Sequence, residues 1–534
     1  MAEQKELDRV NSTFRGESKS SDRKHSVPYW VYVAIGTFLY AGIWSYIGIL
    51  KILSLNAYVF DLGINSERGW QILHTNLGLH GYLTTLINSG IVFPLSPLTG
   101  SGNFFAMVIF QAFSIAIVGP ALYSIAKLKG LTTQNSMLLS LAYFLYFPIY
   151  GAMWFDFHYQ VFFIPLFIYG YLFYLRKNYA TSTLIFFLSG IVRYPYSIFP
   201  MIFAFFELII IFHDHNTRYE KKRLMSVALL FGIMLSWTIL GLLNNGISHT
   251  IPHSYVSIYM INNVTLFSRV FVIFLFLAPL LFLPVVKPRW IILTLPAFYL
   301  FFTSYYTWYT YPYVFQGQYV TGVVPFVFLG ILDYTVVNGN DCRKKPTRIR
   351  FRIKNSKSLK LIFPTIIILL IFFNIFMAPF SPLNNSFGDK FNFPENTSYN
   401  LSRYNELKFM VAIIPQSNPY VLYQNNIPEV LPRNLPFNNT ILMSGYLGGL
   451  TGYSISDAIN NSWPVQYGNG QKGFVQIDYV IADFNNPNFY LQNNSMFNLI
   501  NLMYSSGKYG IVSEGYGLIL LERNYSGPII NYVQ

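Results

Sequence analysis

A few ionisable side chains fall in segments that separate long apolar runs and are themselves nearly free of lysine and arginine. They are Asp61, Glu67, Arg68, His74, His80, Asp156, His158, Arg193, His249 and His253. Two carboxylates, an imidazole and a guanidinium brought to one surface could carry out glycosyl or phosphoryl transfer. A carboxylate can take the proton of an acceptor hydroxyl, and arginine can grip a phosphate through two parallel hydrogen bonds. Asp61 stands in Phe60-Asp61-Leu62-Gly63, just past the first apolar run. A charge at such a boundary is costly and is usually functional or paired. Asp156-Phe157-His158 separates the third and fourth runs, and Arg193-Tyr194-Pro195-Tyr196 the fifth and sixth. Each has a plainer reading: Asp61 caps the next helix, Asp156 and His158 pair with each other, and Arg193 snorkels to lipid headgroups. His249 and His253 are four apart, but Pro252 intervenes and no carboxylate is adjacent, which makes a poor metal site.

The elements that must position these groups are membrane helices. The chain has 534 residues, 53% hydrophobic and 11% charged, against about 25% charged in soluble proteins. Its apolar runs repeatedly reach the roughly 20 residues needed to cross a bilayer. The formal charge of +14 is not a nucleic-acid signature. It is concentrated in short segments between runs: Lys127/Lys129, Arg176/Lys177, Arg218 with Lys221-Lys222-Arg223, Lys287/Arg289, and Arg343 to Lys360. That is the pattern of cytoplasmic loops facing anionic lipid. The single cysteine, Cys342, can form no intramolecular disulfide and excludes a cysteine-based mechanism. Because the chain is polar through Ser26, the first apolar run reads as a retained span.

Charge alternation gives an α-helical polytopic bundle of eleven spans, at about 28–51, 104–127, 132–152, 160–175, 178–193, 196–213, 224–244, 266–286, 290–304, 318–337 and 361–380. Residues 1–27 form a disordered cytoplasmic N-terminus. Residues 28–380 form the membrane domain, with an outer loop at 52–103. Residues 381–534 form an extracytoplasmic α/β domain. Acceptor sequons at Asn384, Asn396, Asn400, Asn438, Asn460, Asn493 and Asn524 agree with that placement. Within this domain Tyr420–Tyr423 and Gln476–Ala482 read as strands and Arg403–Ile414 and Asn488–Ser505 as helices. Glu514-Gly515 reads as a hairpin turn. Gly445 to Gly452 matches no phosphate-binding fingerprint and reads as a loop.

Several motifs together resemble a family of predicted polytopic membrane proteins, common in archaea and bacteria, of unknown function and grouped with the GT-C glycosyltransferase superfamily. They are Phe60-Asp61-Leu62-Gly63, Leu77-Gly78-Leu79-His80 ahead of Pro94-Leu95, and Phe155-Asp156-Phe157-His158. In the last third they are Ile414-Pro415, Tyr423 to Pro428 with Arg433, and Asp478-Tyr479-Val480. The resemblance implies transfer of a sugar from a polyprenyl-phosphate donor at the extracytoplasmic face, with Asp61 as general base. Asp156 and His158 would help bind acceptor or metal, with Glu67, His80 and Tyr194 as further substrate contacts. Where the family pattern would place an acidic pair, this chain has Arg193 and Tyr194. A divalent metal is therefore not implied, and Arg193 becomes a direct phosphate ligand. Two other readings stay open. A transporter or lipid-binding protein predicts charge within spans, of which Glu207 is an instance, and broken helices with internal symmetry. A structural envelope protein would act through its glycosylated outer domain.

Overall fold

The computed structural model describes residues 27–57, 62–75, 77–154, 156–213, 221–245, 263–303, 315, 317–340, 356–378, 401–415, 419–424, 427, 440–443, 463–466, 472–485 and 495–532. Asp61, His249, His253 and the sequons other than Asn524 lie outside the described residues, as does the Gly445–Gly452 stretch.

The first apolar run is α1 (Tyr29–Leu53). The segment read as an outer loop holds three short helices, α2 (Ile64–His74), α3 (Gly78–Ser89) and α4 (Val92–Thr99). The second run is α5 (Phe104–Ala116) continued by α6 (Val118–Leu128). Asn103 starts α5 by accepting the Ala106 N–H through its side chain at 3.0 Å, and Thr132 caps the next run in the same way. That run is divided into α7 (Thr133–Phe144) and α8 (Pro148–Trp154), which meet at a bend of 52°. The carbonyls released at the bend are satisfied. Tyr150 donates to the Phe144 oxygen at 3.0 Å, and the Asn374 amide donates to the Leu145 oxygen at 2.6 Å.

A 3-10 turn (Tyr159–Phe162) leads into α9 (Phe163–Leu175), followed by α10 (Tyr179–Gly190), α11 (Ile198–His213) and α12 (Lys221–Asn245). Then come α13 (Asn263–Leu277), α14 (Pro288–Thr303), α15 (Val324–Asn340) and α16 (Ser356–Met377). Most apolar runs read from the sequence coincide with helix, but the run at 266–286 is α-helical only to Leu277 and ends in two 3-10 turns separated by Leu281 and Phe282 at positive φ. By length and hydropathy, α1, the α5–α6 unit and α12 can each cross a bilayer, and the bent α7–α8 pair makes a fourth if counted as one crossing. Phe38, Leu243 and Ile368 are exposed on these helices, which suits contact with lipid chains.

The last third is mixed α/β. Strands β1 (Val421–Gln424), β2 (Thr440–Met443), β5 (Tyr479–Asp483), β6 (Tyr509–Gly515) and β7 (Leu518–Arg523) form one sheet in the order β2-β1-β5-β7-β6, while β3 (Trp463–Gln466) and β4 (Lys472–Val475) pair separately. β1 runs parallel to β2 and β5, and β7 runs antiparallel to β5 and β6. A hairpin is present, but Glu514-Gly515, expected as its turn, ends β6, and the turn falls at Tyr516 and Gly517, both at positive φ. Helix α17 (Leu401–Ile413) replaces the expected 403–414 nearly residue for residue, and α18 (Ser495–Ser505) is the described part of the expected 488–505. Buried Arg403 pairs with buried Asp483 and ties α17 to the sheet. The Tyr404 ring meets Phe105 of the membrane bundle at 5.8 Å, so α17 packs on both parts.

Candidate functional site

Several of the candidate residues gather around one short segment, Asp156 to Phe162, between α8 and α9. Helix α2 is fastened onto it. The Asn65 amide donates to the Phe157 oxygen at 2.9 Å, and the Tyr159 hydroxyl lies 2.8 Å from the Asn65 oxygen and 3.1 Å from Thr99 Oγ1. Ser66 adds a hydrogen bond to the Thr99 carbonyl at 2.8 Å, which locks α2 against α4. The contact is close enough to require glycine: a Cβ on Gly69 would lie 2.0 Å from Thr99 Oγ1 and 2.6 Å from the Gly100 nitrogen.

Asp156 is buried, and its carboxylate meets Lys51 Nζ at 2.8 Å, while the same ammonium donates to the Trp154 oxygen at 3.2 Å. Asp156 is thus a paired charge, but its ionic partner is Lys51 at the end of α1 rather than the expected His158, whose ring meets the Asp156 backbone carbonyl. His158 is buried beside it. Its Nδ1 lies 3.2 Å from the Asp156 carbonyl oxygen, and its backbone N–H donates to Gln111 Oε1 at 2.9 Å. These interactions orient the segment.

The open side of the site is cationic. Arg193, in the turn before α11, is exposed and donates through Nη1 to Gln160 Oε1 at 2.5 Å. Arg68 on α2 lies near enough to feel both the Arg193 charge and Tyr159. Its proton affinity is lowered first by crowding with protein atoms and second by the like charge of Arg193, although part of the side chain is open to solvent. Among the described residues neither guanidinium has a carboxylate within ion-pair distance.

Glu67, the neighbour of Arg68, points the other way and is buried at 2% exposure. One carboxylate oxygen accepts from Gln71 at 3.1 Å, and the other has no hydrogen-bond partner among the described residues. Burial pushes its pKa to about 7, and the Gln71 hydrogen bond opposes the rise. Glu67 is thus a buried carboxyl that holds its proton up to about neutral pH.

The remaining candidates are less centrally placed. Tyr194 donates its backbone N–H to the Asn88 oxygen at 2.8 Å, and its ring packs where a side chain on Gly241 would stand. His80 is exposed in the first turn of α3, and eight residues of helix separate it from Asn88, about 12 Å. Among the described residues no group of three or more His, Cys, Asp or Glu side chains is placed to hold a metal ion. Asp156 is neutralised by Lys51 and His158 faces a carbonyl, so this donor set does not fit a divalent cation.

Sequence reasoning passed over Lys51, Gln111, Tyr159 and Gln160. The three uncharged residues lack the signal that an ionisable group in a short loop provides. Lys51 did carry one: it is a lysine at the end of an apolar run that the charge pattern assigns to the outer side, where a positive-inside pattern leaves it unaccounted for.

A bundle of apolar helices with exposed aliphatic and aromatic faces and a polar cluster at one end defines a membrane protein with transmembrane helices. Residues 64–520 match the family described as "Predicted membrane protein (DUF2079)", and the chain belongs to that family. No curated protein matches the chain.

Proposed function

We propose that this chain is a GT-C-like glycosyltransferase that moves a sugar from a polyprenyl-phosphate donor to an acceptor at the extracytoplasmic face. In this reading the bundle has eleven spans, the N-terminus is cytoplasmic, and residues 381–534 lie outside as a domain that selects the acceptor. The observation that carries the proposal is the nearness of Arg68 on α2 to Arg193 in the turn before α11: two like charges on different elements, each exposed and without a carboxylate partner among the described residues. Such a pair is unfavourable until an anion joins it, and a phosphate group can bridge two guanidiniums.

The roles follow from the chemistry. The acceptor hydroxyl attacks the anomeric carbon and gives its proton to Asp61, the base suggested by the family resemblance. The bond between the anomeric carbon and the phosphate oxygen breaks, and its electron pair leaves with the lipid phosphate. Arg68 and Arg193 stabilise the charge that grows there. Lys51, Asp156 and His158 order the segment whose Gln160 receives Arg193, with Tyr194 bracing the turn that bears Arg193. Glu67 and His80 are further substrate contacts in this reading.

The test uses membranes containing the full-length protein and a radiolabelled polyprenyl-phosphate sugar. Arg68→Ala and Arg193→Ala should each lower transfer at least tenfold, and Asp61→Asn should abolish it, all at unchanged protein abundance. Transfer that survives the double arginine substitution would sink the phosphate-binding role.

The bent α7–α8 pair favours a second reading, transport, because broken helices line substrate paths in transporters. Flux of a lipid-linked sugar across proteoliposomes, with no transfer to any acceptor, would establish it instead.

A further inference from the structure

The opposite end of the bundle holds a second polar cluster. Gln160 and Tyr174 stand fourteen residues apart along one helical stretch, about 21 Å, so this cluster is remote from the site described above. Its centre is Glu207 of α11, whose side chain is 3% exposed. One carboxylate oxygen accepts from Arg289 Nη2 of α14, and the other accepts from the Tyr174 hydroxyl and from Arg223 Nη2 of α12, the latter at 2.6 Å. Arg223 Nε also donates to the Tyr174 oxygen at 2.6 Å. One carboxylate thus holds two guanidiniums, which among the described residues leaves the group one positive charge in excess.

The adjoining ionic contact does not supply the missing anion. Lys129 and Asp333 pair with each other, and Asp333 also accepts from Trp290 Nε1 at 2.7 Å. The guanidiniums keep unused donors as well. Arg289 Nε is buried and has no hydrogen-bond partner among the described residues, and its guanidinium lies 4.8 Å from the Trp290 ring centre. The Arg223 and Arg289 side chains are 31% and 24% exposed, so the cluster is reachable from outside the protein. It sits at the first turns of α12 and α14, where backbone N–H groups favour negative charge.

We propose that Arg223 and Arg289, fixed on Glu207, form a binding site for a phosphate-bearing anion at the membrane end opposite Asp156. The two sources of that chemistry are an anionic phospholipid headgroup and a soluble phosphate. The headgroup fits the position, because basic clefts between helix ends at the cytoplasmic surface meet such lipids directly. Glu207 orients the site by holding both arginine forks toward a single point of attachment. The bound phosphate supplies the second negative charge and joins α9, α11, α12 and α14. The inference is independent of the glycosyltransferase reading, since it uses none of the same residues.

The test is native mass spectrometry and thermal stability of the delipidated full-length protein. The probes are phosphatidylglycerol, phosphatidylcholine and inorganic phosphate. Wild type should retain phosphatidylglycerol at least tenfold more tightly than phosphatidylcholine. Arg289→Gln should remove that preference. Arg223→Lys, which keeps a charge on Glu207 and so guards against misfolding, should weaken it at least threefold. Lys221→Gln with Lys222→Gln, on the exposed start of α12, should leave it within twofold. Stabilisation by inorganic phosphate alone, lost in Arg289→Gln, would support the site with a soluble ligand. Equal binding of both lipids with no phosphate effect would overturn the proposal. So would an equal loss in the lysine double variant, which would mean diffuse surface attraction.

Discussion

Replacing Glu67 by glutamine tests the buried end of the candidate site. Glutamine keeps the side chain's length and an acceptor for Gln71 and remains neutral at every pH. In the folded protein burial raises the Glu67 pKa from 4.5 to about 7, which corresponds to about 3 kcal/mol of proton affinity. The sign follows directly. Between pH 4.5 and 7 the folded chain holds a proton that the unfolded chain has lost, so stability falls as pH rises through that window. The stabilising share of the protonated carboxyl is complete below pH 4.5 and gone above pH 7. From pH 5 to pH 8 the loss attributable to Glu67 amounts to about 2.5 kcal/mol. With 2% of the residue exposed, solvent screening reduces this little. Reversible unfolding in mixed micelles at a series of pH values would measure it. The difference between Glu67→Gln and wild type should be small at pH 5 and should grow to about 2.5 kcal/mol in favour of glutamine by pH 8. Parallel pH profiles, separated by a constant amount, would refute the claim that Glu67 is buried as a protonated acid.

Three further outcomes are expected. Lys51→Met leaves the buried Asp156 carboxylate without its cation and should destabilise by about 3–5 kcal/mol, and adding Asp156→Leu should recover most of that loss in the same unfolding measurement. Gly69→Ala forces a Cβ against Thr99 and the Gly100 backbone, so it should cost about 1–3 kcal/mol and speed proteolysis between α2 and α4. Asn374→Leu strips the Leu145 carbonyl at the α7–α8 bend of its donor. It should cost about 1–3 kcal/mol, and amide hydrogen exchange should rise at residues 145–150 while α1 stays protected.

The sequence shows clearly what repeated hydrophobicity encodes and poorly what short amphipathic pieces encode. Each membrane helix announces itself through an uninterrupted apolar run, and each basic cluster marks an end. Helix α2, Ile-Asn-Ser-Glu-Arg-Gly-Trp-Gln-Ile-Leu-His, carries neither signal, because half its residues are polar and its buried face is made largely of Asn65, Ser66, Glu67 and Gly69. It is helical because α4 and the Asp156–Phe162 segment cover that face with hydrogen bonds and a close glycine contact. These are tertiary causes that no local pattern records.

The same distinction separates the parts of the candidate site that could be read from those that could not. Asp156, His158 and Arg193 stood out because a charge in a short apolar connection is rare, and the structure gathers all three on one segment. Their partners were hidden for a different reason. Lys51 lies a hundred residues before Asp156, and Arg68 is far from Arg193 in sequence, so only the packing of α1 and of α2 across the bundle brings the partners together. That packing also divides two neighbouring residues between opposite environments. Arg68 reaches the open cationic side, where an anion would be welcome, while Glu67 turns inward and keeps its proton. In the proposed transfer the exposed arginines attract the departing phosphate, while buried Glu67 titrates at about pH 7. It follows that losing Arg68 and losing Glu67 should have different signatures. The first should weaken donor binding at every pH, and the second should change the pH dependence of transfer between about pH 5 and 8, with donor affinity nearly unchanged.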